Sequence, residues 1–161
     1  MPPARAGYSG PQIALHWAVA VLVVLAYLVS GGMGGALRAQ AAGQVVPMAA
    51  NAHVAFGMSA LILSAARLGL RRTRGVPPPP GVPGSWTVRA AGWGHAALYV
   101  LLLGVPAGGA LVWFGGQRSL GELHGPGGNL LLIVAGGHAL VALVHHHVLK
   151  DGLLSRMTRA E

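Results

Sequence analysis

Four apolar runs, each long enough to cross a bilayer, constrain this chain more than any other feature. A spanning helix needs about 20 mostly apolar residues, because the hydrocarbon core is about 30 Å thick and each helical residue rises 1.5 Å. Runs of that kind are expected at about residues 11–31, 47–70, 90–114 and 124–149. Backbone polar groups in lipid must satisfy one another, so the expected fold class is all-α, a four-helix transmembrane bundle. Ser9 as N-cap, Pro11 in the first turn and Gln12 at capping-box spacing mark the start of the first helix. The stretch GVPPPPGVPG at 75–84 can be neither helix nor strand interior. It is read as a linker between two helical hairpins of a single membrane domain spanning 1–161. No internal repeat is evident. Arg5, the apolar stretch and the small residues at 36–42 loosely resemble a cleaved leader. The run exceeds a leader core and carries His16 and Trp17, so it is read as a retained span.

Composition agrees with burial in lipid. Apolar residues make up 53% of the chain and charged ones 9%, against about 25% charged in soluble domains. Cysteine is absent, which excludes disulfides, iron–sulfur clusters and covalent haem attachment. Any haem here is held non-covalently, with histidine as its ligand. The formal charge of +8 does not indicate nucleic acid, because the basic residues lie in the gaps between apolar runs rather than on one polar face. Arg5, Arg67, Arg71, Arg72, Arg74, Arg89, Lys150, Arg156 and Arg159 fall on one side of the expected bundle, and Arg38 and Arg118 on the other. The positive-inside rule then makes both termini and the proline linker cytoplasmic.

Eight histidines in so apolar a chain call for a function, since polar groups at membrane depth are costly and rare. His124 and His138 are separated by fourteen residues, which returns to nearly the same helix face after a rise of roughly 21 Å. Two ligands so placed can each hold one haem, stacked across the bilayer. Depth then selects partners: His53 enters with the outer end of its helix, as His124 does, and His16 lies in the cytoplasmic half with His138. The expected sets are His53–His124 and His16–His138, with helix four tilting or projecting to bring the second pair level. His145 lies only about 10 Å beyond His138, too close for a second macrocycle. The run His145–His147 is a poor tetrahedral metal site, because adjacent helical residues point apart, and it is read as an interfacial cap. His95 is left open between a substitute ligand, a propionate or quinone contact, and an interhelical hydrogen-bond partner. Arg67 is read as a propionate partner or a snorkelling side chain, Gly57 as clearance for a macrocycle, and Gly104 with Gly108 as a helix-packing pair. Trp86, Trp93 and Trp113 read as interfacial belt residues.

These residues carry a resemblance over nearly the whole chain. His16-Trp17, Asn51-Ala52-His53, the run Arg67 to Arg71, the proline-rich linker, Gly94-His95 with Pro106, and the block from His124 through His138 to Lys150-Asp151-Gly152 and Arg156-Met157 resemble the bacterial cytochrome b561 family, and within it the superoxide-oxidase-like dihaem quinone reductases. The resemblance implies a bacterial inner-membrane bundle with two bis-histidine b haems on His16, His53, His124 and His138. It also implies quinone as electron partner and superoxide as a candidate donor, which would make the chain an oxidoreductase. The alternatives are a haem-b subunit serving a dehydrogenase or hydrogenase, and a haem-free metal carrier or structural bundle. Gly125-Pro126-Gly127-Gly128 weakens the turn after His124, which predicts that His124 stands at the mouth of helix four.

Overall fold

The computed structural model describes residues 7–160; Arg5 and Glu161 lie outside them. All regular structure among the described residues is helical, and four helices are long and apolar enough to cross a membrane. Helix α1 (Gly10–Leu28) is followed by a short helix α2 (Met33–Ala41), then α3 (Met48–Arg74), α4 (Trp86–Trp113) and α5 (Gly121–Val144). A π-helical turn, His145–Leu149, continues α5, and a short 3-10 turn, Leu154–Met157, ends the chain. Only 6% to 11% of the residues in the four apolar windows are buried inside the bundle. The outward side chains, such as Leu28, Ile62, Val100 and Ile133, are large and apolar, which suits hydrocarbon and not water.

Helix ends follow local chemistry. Ser9 caps α1, its N–H donating to Gln12 Oε1 at 3.0 Å. The Gln12 amide in turn donates to the Gly75 carbonyl at 3.0 Å. Helix α3 runs past the expected end through Arg71, Arg72 and Arg74, because cations in a last turn complement its negative dipole end. It stops where Gly75 takes a positive φ of 73°. Ser85 caps α4, accepting from Val88 N–H at 3.5 Å, and starts that helix four residues earlier than expected.

One element is added and one expectation corrected. The chain between α1 and α3, to which the sequence reading assigns no element, contains a helix, α2. And α5 starts at Gly121, so His124 sits inside its first turn and 125–128 are helical. Pro126, inside the helix, leaves the Glu122 carbonyl without its usual donor four residues on.

Helices α1 and α3 pack as one pair and α4 and α5 as another, with α3 also against α4. A small apolar core of Val19, Leu102 and Leu131, joined by Val23, Leu63, Leu98 and Leu101, ties the pairs together. Leu131 lies seven residues from His124 and seven from His138, so this core occupies the level midway between them. The first residues of α1, the 75–84 linker and the C-terminal turn meet at one end. There Trp17 Nε1–H donates to Met157 O at 2.8 Å and Arg156 to Pro78 O at 2.9 Å. This is the end that carries most of the basic side chains.

Candidate functional site: facing imidazoles at two levels

At the end away from the termini, the rings of His53 on α3 and His124 on α5 face each other with centroids 5.9 Å apart. Both are held by their Nδ1 atoms. His53 Nδ1–H donates to Ala26 O and His124 Nδ1–H to Val105 O, each at 2.8 Å. A carbonyl can only accept, so Nδ1 carries the proton in both rings and Nε2 is left with a free lone pair. The partners are well chosen. Ala26 lies in the last turn of α1, where carbonyls have no donor of their own helix, and His53 supplies one. Fixing one ring nitrogen on a carbonyl to orient the other is the usual outer-shell device of a metal-binding imidazole.

A cavity of about 760 Å³ opens beside this pair, lined among others by His53, His124, Gly57, Pro106, Tyr27 and Asn129. That lies within the range of sites for cofactor-sized ligands. Two nitrogen–metal bonds of about 2 Å each, with a ring radius on either side, amount to about 6 Å between centroids. The His53–His124 spacing therefore admits a metal centre between the rings. Gly109 supplies further clearance: a Cβ there would stand 2.6 Å from His124 Cε1. A Cβ at Gly57 meets nothing within 4 Å, in keeping with its place on the cavity wall. The same is true of Gly104 and Gly108. The packing role expected for that pair is thus corrected, because no neighbouring helix approaches them. Trp86 and Trp93 are well exposed, as belt residues should be, whereas Trp113 lines the cavity.

At the basic end three rings converge. His16 on α1 and His138 on α5 have centroids 6.5 Å apart, so the two levels do meet. His95 on α4 is 5.3 Å from His138, and its Nδ1–H donates to Ala91 O of its own helix at 2.8 Å. His16 Nδ1 is buried without a hydrogen-bond partner among the described residues, a polar atom that a bound group could satisfy. Below them Arg67 lies 5.8 Å from the Tyr99 ring centroid, in a small recess with Tyr8, Gln12, Arg71, Val76 and Met157.

The three terminal histidines separate. His146 and His147 stack edge to face at 4.7 Å, while His145 Nδ1 hydrogen-bonds Asp151 Oδ2 at 2.5 Å. That hydrogen bond, with a second from Leu153 N–H, holds the Asp151 carboxyl below the ordinary carboxylate range. No group of three or more histidine or acidic side chains among the described residues converges as a metal site. Sequence reasoning missed the His145–Asp151 pair and Gly109. Only the spacing of His145 to Asp151 hinted at the first, and nothing local could reveal the second.

Apolar helices carrying facing imidazoles at two depths define a histidine-paired membrane bundle, the architecture expected of a membrane-embedded b-type cytochrome. Comparison with known sequences names the group. The sequence profile of the prokaryotic cytochrome b561 family matches residues 7–160, and the chain belongs to that family. It is 39% identical to cytochrome b562 of Cereibacter sphaeroides over 155 residues, covering 95% of this chain and 96% of that protein. It is 30% identical to a probable superoxide oxidase, CybB, of Yersinia pestis, covering 93% and 94%. It is 25% identical to cytochrome b561 homolog 1 of Escherichia coli, covering 93% and 96%. The chain is accordingly a multi-pass protein of the bacterial inner membrane, and membership of the family implies haem b and electron transport.

Proposed function

We propose that this chain is a dihaem quinone-linked cytochrome, in which His53–His124 hold one haem b and His16–His138 the other. The observation that carries the proposal is the pair of facing imidazole sets, 5.9 and 6.5 Å across, at two levels divided by the Val19–Leu102–Leu131 core. Haem b, when bound, supplies a one-electron ferric–ferrous couple. The protein's own part is to orient and insulate. Ala26 and Val105 fix the ring planes and tautomers of the upper pair, and the apolar core keeps water from the space between levels. Levels roughly 21 Å apart along α5 give electrons a path from one membrane face to the other.

The whole chain acts as one membrane domain. The arginine-rich end, with both termini and the proline linker, faces the cytoplasm in this reading, which the lysine and arginine asymmetry supports. Arg67 offers a positive charge to a propionate of the cytoplasmic-side haem, and Gly57 leaves room on the wall of the outer cavity. The electron acceptor in this reading is quinone. Superoxide as donor is supported by the relative named a probable superoxide oxidase, and Arg38 and Arg118 place positive charge at the outer end for an anionic donor. The activity is then that of a superoxide:quinone oxidoreductase. Purified haem-loaded protein given superoxide and a short-chain quinone is expected to form quinol. Absence of quinol unless a partner protein is added would instead identify a haem-b subunit of a dehydrogenase or hydrogenase.

Gly109→Ala is expected to empty the outer site selectively. Its methyl would approach His124 Cε1 to 2.6 Å and Nδ1 to 3.0 Å, pushing the ring off the Val105 carbonyl. Gly108→Ala, whose Cβ meets nothing within 4 Å, serves as the neighbouring control. Haem per protein should fall from two towards one in the first variant and stay at two in the second.

A further inference from the structure

We propose that His145 and Asp151 form the proton-delivery pair for quinone reduction, with His145 as the acid that meets the quinone oxygen and Asp151 as its positioning residue. The inference deepens the reading above and rests on its quinone acceptor. Three acidic residues occur in the whole chain. One of them, Asp151, is bound through Oδ2 to His145 Nδ1 at 2.5 Å, the one acid–histidine contact among the described residues. The other Asp151 oxygen accepts from Leu153 N–H at 3.0 Å, so the carboxylate is fixed from two sides. Both side chains of the pair are about one-quarter exposed, at 26% and 27%. They therefore reach water without lying free in it.

Position along α5 gives the pair its role. His145 follows His138 by seven residues, which places it on nearly the same face and about 10 Å nearer the basic end. It stands between the cytoplasmic-side imidazole set and the aqueous phase. The α-helix gives way to a π turn at His145, and Lys150 then takes a left-handed backbone with φ of 52°. That reversal brings Asp151 back onto His145. A helix can end without an ionisable pair, and a non-glycine residue with positive φ carries a cost. The same reversal also seats Asp151 N–H on the His145 carbonyl at 3.3 Å, which caps the helix end.

Electron transfer between metal centres needs no proton, but reduction of a quinone does. Two electrons and two protons convert quinone to quinol, forming an O–H bond at each carbonyl oxygen. The electrons arrive singly from the donor through the bundle; with superoxide as donor, two superoxide ions become two dioxygen molecules. The proton for the oxygen that faces the pair leaves His145 Nε2, and the imidazole regains it from cytoplasmic water, while Asp151 holds Nδ1–H throughout and balances the imidazolium charge; the opposite oxygen takes its proton from water. The other charges nearby are Arg156, which also acts on Asp151, and the adjoining Lys150. His146 and His147 are turned to each other.

The test uses the haem-loaded protein, pre-reduced and mixed rapidly with a short-chain ubiquinone, with haem reoxidation followed from pH 5.5 to 9. Ferricyanide, which takes electrons without protons, is the parallel oxidant. His145→Gln is expected to slow reoxidation by quinone about 100-fold or more, the lower end of the range for loss of a general acid. Asp151→Asn should move the alkaline fall of the rate to lower pH, and Asp151→Glu should restore it. Ferricyanide should oxidise all of them at the wild-type rate. Quinone rates and pH profiles equal to wild type in His145→Gln and Asp151→Asn would overturn the pair's role. So would equal slowing with ferricyanide, which would mark a structural effect. A wild type that ferricyanide oxidises and quinone does not would sink the quinone reading itself.

Discussion

Alanine at His53 and His138 together is expected to give a colourless protein, whereas either substitution alone leaves one haem of two. The two side chains belong to different levels, His53 facing His124 at 5.9 Å and His138 facing His16 at 6.5 Å. Each substitution removes one of two axial nitrogens from its own site. The levels should behave independently, because the Val19–Leu102–Leu131 core lies between them and neither pair shares a residue with the other. His124→Ala should therefore reproduce His53→Ala, and combining those two should still leave one haem. Haem-to-protein ratio and the reduced-minus-oxidised spectrum read the result. Full loading of the His53→Ala, His138→Ala protein under haem-replete expression would refute the ligand assignment.

Much of this arrangement is legible in the sequence because it depends on periods. Apolar runs of spanning length locate the four helices, and the fourteen-residue step from His124 to His138 places two imidazoles on one face at two depths. The antiparallel order of the helices then puts His53 beside His124 and His16 beside His138, and the ring distances agree. What sequence does not carry is the backbone's share of the site. The carbonyls of Ala26 and Val105 anchor two imidazoles, yet a carbonyl is common to every residue, so no side-chain pattern announces it. Gly109 matters only because α4 meets α5 at the register that sets it under His124. Helix α2, drawn from the glycine- and alanine-rich sequence MGGALRAQA, lacks a side-chain cap; only the connection between two fixed spans gives it a place. The contact of Asp151 with His145 requires the π turn and the left-handed Lys150, neither of which has a sequence signature as plain as glycine.

His16→Ala is expected to remove the cytoplasmic-side haem, and His95→Ala to leave it bound. Ring distance alone would favour the opposite, since His95 is 5.3 Å from His138 and His16 is 6.5 Å away. The helix pairing decides between them. His95 and His138 stand on α4 and α5, which pack directly against each other, so a macrocycle could enter between their rings only by separating that pair. His16 stands on α1, in the other pair, and faces His138 across the gap between pairs, as His53 faces His124. Its separation is also the one that matches two metal–nitrogen bonds of about 2 Å with a ring on each side, and 5.3 Å falls short of it. His95 has its Nδ1–H on Ala91 O at 2.8 Å, as His53 and His124 have theirs on carbonyls, so the helix pairing and not its hydrogen bond sets it apart; it lies where it can contact the edge of a haem held by the other two. The expected readings are one haem per protein in His16→Ala, with the remaining spectrum that of the outer site. His95→Ala should keep two, with a shift in the midpoint potential of one. Two haems in His16→Ala and one in His95→Ala would reassign the ligand to α4 and require the α4–α5 pair to open around it.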